Sequence, residues 1–70
     1  MQREPVASGT VRSIGYDYSD SVIEIEFRDG RVYQYYLVPP ALIKGLLEAD
    51  SFGHYLNEYI IGKYPYREIE

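Results

Sequence analysis

The segment Ser21–Arg28 alternates between apolar and polar side chains from Ile23 onward. Its isoleucines and phenylalanine fall on one side and its charged residues on the other, which is the pattern of a β-strand with one buried face. Asp29-Gly30 follows at once, and this dipeptide is a strong signal for a hairpin turn. The chain is therefore predicted to fold back on itself here, with Arg31–Val38 as the antiparallel partner strand.

The length of the hairpin loop decides which way the tyrosines of the partner strand face. A two-residue loop would place Tyr33 and Tyr35 on the solvent side and Gln34 among the isoleucines. A three-residue loop would let Gly30 take the left-handed position of a bulged turn, and would set the two tyrosines opposite the isoleucines. Because a one-residue slip moves every side chain to the other face, we favour the three-residue loop, which buries no isolated glutamine. It directs Tyr33 and Tyr35 inward and leaves Gln34 and Tyr36 outward.

The flanking segments supply one more strand and two helices. Thr10–Tyr18 interleaves β-branched and aromatic residues with polar ones, and Gly15 inside it indicates a bulge or a close backbone approach. A proline pair ends the hairpin, and the apolar stripe that follows predicts a helix from Pro40 to about Ala49. Ser51 is a suitable N-cap for a second helix, which Gly62 is expected to end.

These elements predict an α+β domain, a three-stranded antiparallel β-meander followed by two α-helices packed on one face. Residues 1–9 are expected to be a flexible or edge-lying segment and residues 10–70 a single domain. The chain has 70 residues and no cysteine, so disulfides are excluded and the core must come from apolar and aromatic side chains. Nine tyrosines suit a small core whose edge contacts water, because the ring is apolar and the hydroxyl still reaches water or a backbone partner.

Charge and hydropathy restrict the partners. The net charge is −4, which argues against broad, nonspecific attraction to nucleic acid. No run of 18 apolar residues occurs, and the first residues lack the apolar core of a signal peptide. We therefore expect a cytoplasmic protein without a membrane partner, whose oligomeric state the sequence leaves open.

Signs of catalysis are absent from the sequence. His54 is the only histidine and has no metal-binding companion at a suitable spacing, so it is interpreted as a surface residue near the start of the second helix. Ser51 is better explained as a cap than as a nucleophile or an anion site. Glu24 and Glu26 share a face that the alternation directs to solvent. We predict no catalytic residue, no cofactor and no metal.

Several short motifs together resemble the KTSC domain, which is named for its place at the C-terminus of some lysyl-tRNA synthetases. They occur in the order Ser8–Val11, Ile14–Asp17, Val32–Tyr35, Val38-Pro39, Ser51–Asn57, Ile60 and Tyr64–Tyr66. The resemblance extends from about Ser8 to Ile69. It implies a small non-catalytic binding domain, with RNA binding suggested by the synthetase context. A basic residue often follows the position of Ile60 in this family; here it is Ile61, which removes a phosphate contact.

The candidate contact residues follow from the predicted hairpin register and from the resemblance to the KTSC domain. Tyr33 and Tyr35 would serve either as a base-stacking platform or as core, and the preferred register favours core. That leaves Tyr16, Tyr36 and Tyr64 as candidates for an exposed stacking surface.

Three polar residues complete the predicted contact set. Asn57 falls on the polar side of the second helix, where it would contact a ligand or equally a neighbouring loop. Arg12 and Lys63 are the cations included with it. The expected partner is a tRNA-like or single-stranded RNA; the alternative function is a protein–protein interaction module.

Overall fold

The computed structural model describes residues 1–70 and contains five strands and two helices. The strands form one antiparallel sheet in the order β1-β2-β3-β4-β5. The elements follow each other as β1 (Glu4–Pro5), β2 (Val11–Asp17), β3 (Val22–Phe27), β4 (Val32–Tyr35), α1 (Pro40–Leu47), α2 (Phe52–Tyr59) and β5 (Tyr66–Glu68).

The predicted α+β class is confirmed, but the strand number was wrong. Strands β2, β3 and β4 are the predicted meander, and one short strand is added at each edge. Strand β1 has two residues, one of them a proline, and β5 has three. Segments this short cannot show the alternation that identifies a strand, so neither edge strand was predicted, although residues 1–9 were expected to be flexible or edge-lying.

The hairpin between β3 and β4 has the three-residue connection. Ile25 pairs with Tyr33 and Ile23 with Tyr35, which confirms the predicted register. Gly30 has a φ of 92°, and its N–H donates to the Phe27 carbonyl at 3.0 Å. A glycine reaches this left-handed conformation without steric cost.

Both helices lie on the face of the sheet that carries these isoleucines, which we call the inner face. Ten buried residues join the inner face to the two helices in one core: Val11, Ile14, Ile23, Ile25, Tyr35, Val38, Ile43, Leu46, Leu56 and Ile60. Helix α2 is capped as predicted, since the Ser51 hydroxyl accepts from the His54 N–H at 3.2 Å. Each helix ends two or three residues earlier than its sequence pattern predicted. None of the helices combines the length and apolar character needed to cross a membrane.

The N-terminal segment lies along the edge of β2. Glu4 and Pro5 pair with Ile14 and Ser13, and the segment before them passes directly over Gly15. A β-carbon at Gly15 would collide with the carbonyl oxygen of Gln2. The glycine therefore marks a close backbone approach, whereas the irregularity in the β2–β3 pairing lies between Val11 and Ser13.

Candidate functional site

Four aromatic side chains run across the inner face of β3, β4 and β5, and we call them the aromatic row: Phe27, Tyr33, Tyr35 and Tyr66. The Tyr33 and Tyr66 rings are stacked with their centroids 5.8 Å apart and an interplanar angle of 27°. Phe27 meets Tyr33 edge-on at 5.8 Å, and Tyr35 lies 5.7 Å from Tyr66. Such distances lie within the range of favourable aromatic pairs, so the row is a continuous aromatic surface.

The row passes from the core to solvent. Tyr35 is only 2% exposed and belongs to the core, whereas Tyr66 is 60% exposed. Phe27 and Tyr33 are half-buried and pack against the core from its edge. The outer part of the row is therefore an accessible aromatic surface on a buried support, which holds the rings in place at little cost in side-chain entropy.

Arg31 lies at one end of the aromatic row. The Tyr33 hydroxyl and then the Asp29 carboxylate, 3.7 Å from the Arg31 guanidinium, raise the pKa of this arginine. Glu68, which pairs opposite Tyr33, acts in the same direction more weakly. The positive charge beside the rings is thus partly balanced by two carboxylates, and it can attract a phosphate only weakly.

The opposite face of the sheet, the outer face, carries a polar network instead of aromatic rings. Glu24 accepts hydrogen bonds from Arg3 at 2.6 Å and from Gln34 at 2.8 Å. Gln34 in turn accepts from the Tyr36 hydroxyl at 2.9 Å. The alternation predicted the face of Glu24 correctly but not its exposure: this carboxylate is 5% exposed, because Arg3 crosses over from the N-terminal segment. Both carboxylate oxygens of Glu24 accept hydrogen bonds, so we interpret this network as stabilising the fold.

The structure does not bring the three predicted stacking tyrosines together. Tyr16 lies on the inner face, and its hydroxyl donates to the Val38 carbonyl at 2.6 Å. Tyr36 lies on the outer face, bonded to Gln34. Tyr64 is half-buried and packs against the core.

The three predicted polar contacts are all exposed. Arg12 donates to the Arg28 carbonyl at 3.3 Å, next to the β3–β4 hairpin. Asn57 lies on α2. Lys63 precedes β5, in the same short segment as Tyr64, and the Pro65 carbonyl accepts from the Tyr36 N–H.

Tyr66 was not among the predicted contact residues, because β5 was not predicted. The only signal in the sequence was the pattern Tyr64-Pro65-Tyr66, with two tyrosines spaced as on one face of a strand. No group of histidine, cysteine or acidic side chains is placed to hold a metal ion, and no buried side-chain polar atom lacks a hydrogen-bond partner.

Comparison with known proteins identifies the family. The family model of the KTSC domain matches residues 7–64. The chain belongs to the KTSC domain family. The crystal structure of a KTSC domain protein from Yersinia pestis superposes with a TM-score of 0.93 at 40% identity, covering 99% of this chain and 97% of that one. The five-stranded sheet and two helices are therefore the fold of a known KTSC protein.

The sequence relatives include both small proteins and much larger enzymes. A small uncharacterized protein from Stutzerimonas stutzeri is 43% identical over 83% of this chain and 82% of its own length. Lysine–tRNA ligases also match, and that of Nostoc punctiforme is 32% identical over 84% of this chain. The match covers 10% of that ligase, so this KTSC chain corresponds to a small part of a much larger enzyme.

Proposed function

We propose that this KTSC chain is a non-catalytic module that binds single-stranded or tRNA-like RNA by stacking bases on the exposed part of the aromatic row. The observation that carries the proposal is the stacked pair of Tyr33 and Tyr66, with Tyr66 60% exposed. Unpaired bases stack on such rings whatever their sequence, and each stacked base contributes about 1–3 kcal/mol. The rings lie on a β-sheet, as in sheet-based RNA-binding platforms.

The lysine–tRNA ligases support RNA as the ligand. A segment resembling this chain occurs in enzymes whose substrate is a tRNA. A small accessory module that holds RNA would be useful in that context and would need no catalytic residues of its own.

The few positive charges near the aromatic row lead us to expect weak RNA binding. Arg31 is at the row, and Lys63 lies three residues before Tyr66, the first residue of β5. Two phosphate contacts on a single strand would give a slope of about −1.4 for log K against log[salt]. We propose Arg31, Lys63 and Tyr64 as flanking contacts, and we do not include Tyr16, Tyr36, Asn57 or Arg12 in this interface.

The test is fluorescence anisotropy of a labelled single-stranded oligonucleotide and of tRNA at low salt. We expect Tyr66→Ala to weaken binding about fivefold or more, because one stacking surface is lost. Tyr66→Phe should retain binding, since the ring and not the hydroxyl does the stacking.

Tyr18→Ala is the matched control, because Tyr18 is also a well-exposed tyrosine and follows β2, toward the opposite edge of the sheet. Equal loss in the Tyr66 and Tyr18 variants would show nonspecific binding and contradict the proposed surface. Absence of any RNA binding at low salt, together with a protein partner captured through Tyr66, would favour the protein-interaction alternative instead.

A further inference from the structure

A groove of about 440 Å³ opens at the other edge of the inner face, between the β1–β2 edge and helix α1. Its apolar lining includes Ile14 of β2 and Ile43 and Leu47 of α1. Two tyrosines, Tyr16 and Tyr18, line it as well. The volume lies within the range of small-molecule sites, and the lining is mainly apolar.

The two tyrosines meet at a right angle. Their ring centroids are 4.6 Å apart and the planes are inclined by 85°, so the edge of one ring lies against the face of the other and the two rings form a corner that lines the groove. Tyr16 is held by the hydrogen bond from its hydroxyl to the Val38 carbonyl, and Tyr18 stands against it with 69% of its surface exposed. The faces of aromatic rings carry negative electrostatic potential, so the corner favours a cation over an anion.

Glu4 is the only charged residue that lines the groove. Its partner in the sheet is the inward-facing Ile14, so its side chain points to the same side as the tyrosine corner. The protein contains two ion pairs, Arg3–Glu24 and Arg31–Asp29, and Glu4 takes part in neither. An acidic group without a cationic partner thus lines the same groove as two aromatic rings and the aliphatic side chains of α1.

From this combination we infer that the groove binds a small alkylammonium compound, with its cationic head in the corner of Tyr16 and Tyr18 and its carbon chain against Ile43 and Leu47. Ring faces attract quaternary and primary ammonium groups, most strongly where water is displaced. Glu4 adds charge complementarity without the desolvation that full burial would impose. The inference is independent of RNA binding, because the groove and the aromatic row lie at opposite edges of the sheet.

The experiment is a heteronuclear NMR titration of the full chain with choline, up to high millimolar concentrations. The decisive comparison ligand is its neutral isostere, in which a tert-butyl group replaces the trimethylammonium group. We expect choline to shift the amide signals of Tyr16, Tyr18 and Leu47, and the isostere to bind about threefold to tenfold more weakly.

Variants separate the parts of the site. Tyr18→Ala should weaken choline binding about threefold to tenfold, Tyr18→Phe should retain it, and Glu4→Gln should weaken it by a smaller factor. Tyr18 and Glu4 are both exposed, so these variants should fold. Tyr66→Ala is the control and should bind choline like the parent chain.

Equal or tighter binding of the neutral isostere would overturn the inference, because the groove would then recognise only apolar bulk. Absence of shifts at the groove would overturn it as well. A trimethyllysine peptide that binds much more tightly than choline would overturn the assignment to a small free compound, since the cation would then belong to a protein partner.

Discussion

Gly15 lies beneath the N-terminal segment, at a point where the two backbones nearly touch. A β-carbon there would lie 3.2 Å from the Gln2 carbonyl carbon and 3.3 Å from Cγ of Arg3, with the carbonyl oxygen closer still. Backbone atoms cannot move aside as a flexible side chain can. The absence of a side chain at Gly15 is therefore what lets Arg3 reach across to Glu24.

We expect Gly15→Ala to lower the free energy of unfolding by about 1–3 kcal/mol, because the added methyl group overpacks this contact. Urea denaturation followed by circular dichroism measures the change. Gly9→Ala is the control: nothing lies within 4 Å of a β-carbon at Gly9, so that variant should be neutral or slightly more stable. Equal stabilities for the two variants would contradict the close approach.

At the scale of elements, the two helices pack closely against each other at a second glycine. Gly45 of α1 lies against the ring of Tyr55 of α2, whose hydroxyl donates to the Leu42 carbonyl at 2.9 Å. A β-carbon at Gly45 would lie 3.0 Å from Cζ of Tyr55 and closer to its hydroxyl oxygen. The ring cannot turn away without losing its hydrogen bond, so the glycine sets how closely the helices pack.

In an exposed helix, glycine to alanine stabilises by about 1 kcal/mol. Here we expect Gly45→Ala to destabilise the protein by about 1–3 kcal/mol, as measured by chemical denaturation. The double variant with Tyr55→Phe should recover part of the loss, because the nearest atom is then removed. Lys44→Ala, an exposed neighbour on the same helix, should leave stability nearly unchanged. A stabilised Gly45→Ala variant would contradict this packing.

Elements were predictable from the sequence where a regular pattern was long enough. The alternation of β3 and the stripes of both helices gave the central elements, and the glycine in the turn gave the register of Tyr33 and Tyr35. The edge strands were not predictable, since β1 and β5 are held by pairing to their neighbours and have two and three residues. Arg3 belongs to the polar network on the outer face and Tyr66 to the aromatic row on the inner face. Both residues lie in or beside these edge strands.

At the scale of the whole molecule, burial of tyrosines couples stability to alkaline pH. Burial, and then the neighbouring Tyr33 and Tyr66, raise the pKa of Tyr35; burial likewise raises that of Tyr55. A raised pKa means that the folded protein holds the phenolic proton more tightly than the unfolded chain. The stabilisation is therefore complete below the ordinary tyrosine pKa of about 10 and is lost as pH rises through the folded-state value.

We expect the free energy of unfolding to fall as pH rises above about 10, as measured by denaturation at a series of pH values. Tyr35→Phe should make that fall shallower, because one of the two titrating groups is gone. Tyr18→Phe, at an exposed tyrosine, should leave the slope unchanged. The same slope in the Tyr35→Phe variant and the parent chain would contradict the assigned burial of Tyr35.

The proposed RNA-binding surface was only partly predictable from the sequence. The predicted register places Tyr33 and Tyr35 on the inner face, and there Tyr35 is buried and Tyr33 half-buried. The sequence could not show that all three residues of β5 are exposed, which leaves the outer end of the row open to solvent. Coverage of a sheet by helices depends on where loops direct them, and no local pattern encodes that.

The most direct test is a heteronuclear NMR titration of the chain with a short single-stranded RNA at low salt. We expect the largest signal changes at Phe27, Arg31, Tyr33 and Tyr66, with the outer face around Glu24 and Gln34 unaffected. Changes centred on the outer face, or none at all, would contradict base stacking on the aromatic row.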